Sequence, residues 1–120
     1  MFLQLAHTKL DIYGFVKTFV HQCYILSNQL PTEERFNMIS QLRRAALSVL
    51  LNNAEGCSRK SATERKRFFE IARGSIIEID AIIDIATEMN YIEEKDVDEL
   101  GKSMLLEFKL LSGLINNIKN

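Results

Sequence analysis

Two histidines, His7 and His21, and two cysteines, Cys23 and Cys57, are the residue types in this chain best suited to hold a metal or to act as base and nucleophile. Their spacing supports neither role. The cysteines stand 34 positions apart and match no zinc knuckle or disulfide framework, so both are expected to be reduced thiols. A di-iron centre in a helical bundle needs a Glu-x-x-His pair on each of two helices. Here Gln4 stands three residues before His7 and Thr18 three residues before His21. Glycine-rich phosphate loops, a Gly-x-Ser-x-Gly elbow and the zinc deaminase signature are missing as well. The expectation is a chain without catalytic residues, metal or cofactor.

Charge is the more informative chemistry. The net charge is only -1, but its sign changes along the chain. Between Arg43 and Arg73 there are eight basic residues against three acidic ones, a balance of +5. Between Glu78 and Glu99 nine acidic residues face Lys95 alone, a balance of -8. A basic region facing an anionic partner is therefore compatible with a near-neutral total. Arg59, Lys60, Arg65, Lys66 and Arg67 are the candidate phosphate-binding set. The acidic run 93–99 reads as a solvated face that suits a basic protein partner.

The elements that must position these charges read as helices. A chain of 120 residues with 47% hydrophobic and 26% charged content suits one globular domain, 1–120. One proline and five glycines leave too few turn residues for an all-β fold. Apolar residues Ile12, Val16, Phe19, Cys23 and Leu26 mark a first helix over about 8–30. Pro31 closes it, and Thr32, Glu33 and Glu34 open a second. That helix carries Ile39, Leu42, Ala46, Val49 and Asn53 on one line and stops at Gly56. Ser61-Ala62-Thr63-Glu64 has the capping-box form and starts a third, running to about Met89 with Phe68, Ala72, Ser75, Ile79, Ile82 and Ala86 on one face. Asn90-Tyr91-Ile92-Glu93-Glu94 turns into a fourth, lined by Val97, Leu100, Met104, Phe108, Leu111, Ile115 and Ile118. Short connections imply an all-α, antiparallel up-down-up-down four-helix bundle. Stripes wider than one core needs, at Phe15, Val20 and Tyr24 and at Phe69, Ile76 and Ile83, favour self-association.

Polar residues interrupt the apolar segments of the second and third helices, and Arg43, Arg44, Asn52, Glu55, Ser75 and Glu78 are the candidate structural polar set. Pairing the two helices about Ser58 sets Arg43 one turn from Glu78, which predicts an ion pair between them. Gly74-Ser75 in mid-helix predicts a close helix contact. Phe68 and Phe69 read as core, which leaves the basic turn without an interleaved aromatic. No apolar run approaches the roughly 18 residues of a membrane span, and residues 1–7 lack the features of a secretory signal. A cytoplasmic protein is expected.

Several ordered segments carry a resemblance. They are Leu30-Pro31-Thr32-Glu33-Glu34-Arg35-Phe36, Gln41 to Val49, Asn52-Asn53-Ala54-Glu55-Gly56, Ser58-Arg59-Lys60-Ser61, Phe68 to Ser75, and Asn90-Tyr91-Ile92. Together they resemble the four-helix-bundle, ribosomal-protein-like family encoded by intervening sequences of bacterial 23S ribosomal RNA genes. Leu50-Leu51 stands where that family usually has Pro-Ser, and Cys57 where it usually has an aromatic. The resemblance implies a homopentameric ring, no catalysis, and kinship with the accessory subunit of diversity-generating retroelements, which works with a reverse transcriptase and nucleic acid. Two readings follow: an RNA-associated oligomer using the basic rim, and a scaffold that recruits a protein partner without nucleic acid.

Overall fold

The structure is a computed structural model that describes residues 2–5, 7 and 11–118. Four helices form the fold: α1 (Asp11–Ser27), α2 (Met38–Ser58), α3 (Ala62–Glu88) and α4 (Asp98–Asn117). Single 3-10 turns at Thr32–Glu34 and Glu94–Asp96 lead into α2 and α4. No strand occurs among the described residues. The expected start of the first helix at Thr8 lies outside them, and α1 ends at Ser27, three residues short of the expected Leu30.

The ends follow from local chemistry. Ser61 caps α3, its Oγ accepting from the Glu64 backbone N–H at 3.3 Å, which is one of the two bonds of a capping box. At the other end Asn90 takes φ 62°, a left-handed conformation that asparagine tolerates. The Tyr91 N–H then reaches the Ala86 carbonyl at 3.0 Å and the Asn90 N–H the Thr87 carbonyl at 3.0 Å. That is the double bond pattern of a Schellman stop. Helix α2 begins later than Pro31 suggests, because Thr32–Glu34 closes only a 3-10 turn before Met38.

Helix α1 packs on α2, α2 on α3, α3 on α4 and α4 on α1, the α2–α3 contact being the most extensive. The molecule measures 44 × 30 × 24 Å. Its core takes Val16, Phe19 and Cys23 from α1, Leu42, Ala46 and Val49 from α2, Ala72, Ile76 and Ile79 from α3, and Leu100, Leu111 and Ile115 from α4. Full burial of a side chain such as Phe19 or Leu111 contributes about 1.5 to 3 kcal/mol.

The close helix contact expected at Gly74-Ser75 is made by Ser75, whose hydroxyl meets that of Ser48 on α2 at 2.8 Å, while a Cβ added at Gly74 would meet nothing within 4 Å. A second close approach lies at Gly56, where a Cβ would sit 2.6 Å from Phe69 Cε1, and it corrects the reading of that glycine. Gly56 is therefore inside α2 as the seat of the Phe69 ring rather than a helix stop, and the helix runs on to Ser58. Contacts along α2 and α3 occur in reverse order: Gly56 meets Phe69 beside the turn, and Ser48 meets Ser75 farther from it.

Candidate nucleic-acid interface

The three residues between α2 and α3 gather the basic set. Arg59 forms an ion pair with Glu55, one turn back on α2, and lies 5.0 Å over the Phe68 ring. Arg65 Nη1 donates to the Lys60 carbonyl at 2.8 Å, which ties the first turn of α3 to the connection. Lys60 and Arg67 are exposed, and Arg65 and Lys66 half-buried. Five cations thus stand within nine residues around one turn, with Glu55 and Glu64 as nearby counter-charges. Phe68 is half-buried rather than core, and only Phe69 is buried. An aromatic face does interleave with the rim, because the guanidinium of Arg59 draws on the Phe68 ring as a cation–π partner.

The structural polar set is distributed differently. Asn52 donates to the Ser48 carbonyl at 2.9 Å and to Ser48 Oγ at 3.0 Å. The Ser48 and Ser75 hydroxyls share a hydrogen bond of 2.8 Å, which joins α2 to α3. Glu55 serves Arg59, and Arg44 is exposed. The ion pair expected between Arg43 and Glu78 does not form. Arg43 is turned to α1, where Nε donates to Ser27 Oγ at 2.8 Å, Nη2 to Asn28 Oδ1 at 3.1 Å, and the guanidinium lies 5.4 Å over Tyr24. Glu78 is exposed on α3. Helix α2 meets α3 at Gly56 and Ser48, while Arg43 is turned toward α1.

One buried group lay unread in the sequence. Glu107 is 1% exposed, and neither of its carboxylate oxygens has a hydrogen-bond partner. Desolvation raises its pKa from 4.5 to about 7. The sequence stripe Leu100, Met104, Phe108, Leu111 and Ile115 passes over it, yet Glu107 is the buried residue of that turn and Phe108 is half-buried. Burial also pushes the Cys23 thiol up to about 12 and raises that of Cys57, both of which are free. Among the described residues no three of His, Cys, Asp and Glu come together to hold a metal, and no helix is long and apolar enough to cross a membrane.

The fold is an all-α bundle of four helices. The chain belongs to the 23S rRNA-intervening sequence protein family, whose model matches residues 8–113, well over half of its length. No curated protein matches it.

Proposed function

We propose that this chain is a non-enzymatic cytoplasmic homo-oligomer, a ring of five, that associates with RNA through the rim of Arg59, Lys60, Arg65, Lys66 and Arg67. The four helices run antiparallel in up-down-up-down order, a reading supported by the reversed contacts of α2 with α3. The observation that carries the proposal is the rim itself: five cations around one turn, one of them paired and stacked on Phe68. Phosphates attract such a set without sequence preference, and each one neutralised releases counterions.

A protein-scaffold reading has its own support. A groove of about 290 Å³ between α3 and α4 is lined by Ile77, Met104, Leu105 and Phe108 with Asp80 at its edge, and Ile77 and Leu105 are more than half exposed. Such a groove suits a second copy or another helix.

Light scattering with chromatography, with and without structured RNA at about 50 and 200 mM salt, separates the readings. Five subunits of 13.8 kDa give about 69 kDa. RNA that shifts this mass at low salt, and a Lys60→Gln/Lys66→Gln/Arg67→Gln variant that no longer shifts, supports the RNA-associated ring. The triple variant should lower the salt slope on duplex RNA by about 2.7. A pentamer indifferent to RNA moves the function to the scaffold, and a monomer removes the ring.

A further inference from the structure

A second cationic feature lies at the other end of α2. Two adjoining clefts, of about 340 and 350 Å³, share Arg35, Ile39 and Arg43. Arg44, Tyr24 and Phe36 line the first, and Ser27, Asn28 and Thr32 the second. Neither is lined by a carboxylate, whereas the grooves elsewhere include Asp80, Asp11 or Asp96 and Glu99.

The chemistry of the cleft is that of a prepared anion site. Ser27 is fully buried, and its hydroxyl donates to the Tyr24 carbonyl at 2.6 Å, so its lone pairs face Arg43 Nε. Asn28 Oδ1 receives Nη2. Both acceptors are neutral, so Arg43 is fixed in place while its charge stays uncompensated and Nη1 remains available for a ligand oxygen. Arg35 and Arg44 are exposed on the same wall. Acidic residues do occur at this end, since Glu34 accepts from Tyr91 at the start of the 91–99 segment. Among the described residues, however, no carboxylate comes within ion-pair distance of the three guanidiniums; in the acidic run Glu93 pairs with Lys95 and Glu99 with Lys102.

Aromatic rings interleave with these cations. Arg35 lies 5.9 Å over Phe36, Arg43 lies over Tyr24, and Phe36 is 87% exposed. Guanidiniums for phosphates beside an open ring for a base are the pairing that unstacked nucleotides select, because every base offers a π face. We infer that the Arg35–Arg43–Arg44 cleft with Phe36 is a second RNA contact, specific for single-stranded segments. It rests on the RNA association proposed above but uses none of the rim residues.

The test is fluorescence anisotropy of the full chain with a labelled ten-nucleotide uridine strand and with an RNA duplex, across a salt series. Arg43 is left intact because it supports α1, and circular dichroism melts verify that each variant folds. Phe36→Ala should weaken single-strand binding about tenfold or more and leave the duplex unaffected. Arg35→Gln/Arg44→Gln should lower the single-strand salt slope by about 1.4. Wild-type protein that binds neither RNA overturns both proposals. If the rim variant loses binding while both cleft variants keep wild-type affinity and slope, the cleft inference alone is overturned. Loss of oligomer mass in Phe36→Ala, with single-strand affinity retained, gives the cleft to a second copy and likewise overturns it.

Discussion

Glu107 makes a quantitative prediction about stability. Its carboxyl sits in the apolar stripe of α4 between Met104 and Leu111 with no donor on either oxygen. Arg73, the cation that reaches α4 from α3, is engaged by Ser112 at 3.1 Å and by the Phe108 ring at 5.8 Å. Burial lifts the pKa from 4.5 to about 7. Between those values the folded chain holds a proton that the unfolded chain has released, so stability falls as pH rises through this window. The full difference is about 3 kcal/mol, most of which develops between pH 5 and pH 8.5. Glu107→Gln keeps the shape and removes the titration. Urea unfolding of both proteins at the two pH values should show the variant gaining roughly 2 to 3 kcal/mol on the wild type as pH rises, or about 10 °C in melting temperature. A stability offset between variant and wild type that is constant from pH 5 to pH 8.5 would refute the burial argument, whatever the size of that offset.

Packing and reactivity give two further expectations. Gly56→Ala places a methyl group 2.6 Å from the Phe69 ring, which must shift within a filled core; the cost should be about 1 to 3 kcal/mol in denaturant unfolding, while Gly74→Ala, facing open space, should stabilise by a few tenths of a kcal/mol up to about 1 kcal/mol. With a disulfide thiol reagent near pH 8, half-buried Cys57 should react slowly and Cys23 only after unfolding, because burial holds the Cys23 pKa near 12; equal rates for the two thiols in native protein would contradict the core assignment of α1.

Much of the frame was legible because helix periodicity is a local property. Val16, Phe19, Cys23, Leu42, Val49, Leu100 and Leu111 are all where the three-and-four spacing sets them, and Ser61 is the cap its sequence specifies. The rim residues were legible too, since residues flanking a short turn are adjacent in space whatever the rest of the fold does. What failed depended on rotation about a helix axis. Level along the axes sets Arg43 beside Glu78, but level does not decide which face a side chain occupies. Rotation likewise gives the contact at Gly74-Ser75 to Ser75 alone and turns Phe68 toward Arg59. The cleft at Arg35 was hidden because residues 35–37 are a turn between a 3-10 helix and α2, so no helical period links Arg35 to Arg43 and Arg44.

The proposed rim and cleft contacts together set how one RNA would use both. Arg43 and Arg59 lie at positions 16 residues apart on and just past α2, about 24 Å along the helix axis. The rim is an open turn whose cations are spread over 59–67, and it suits the regular phosphates of a duplex. The cleft is concave and carries an exposed ring, so it suits a strand whose bases are free. A helical stem that ends in a loop presents both kinds of surface at about that separation. Such a molecule should bind more tightly than a stem or a strand alone, because the second contact becomes intramolecular once the first has formed. Competition of a hairpin against its isolated stem and loop, in wild type and in Phe36→Ala, measures that gain. Equal affinity of hairpin and stem in the wild-type protein would mean that the two sites never engage one RNA.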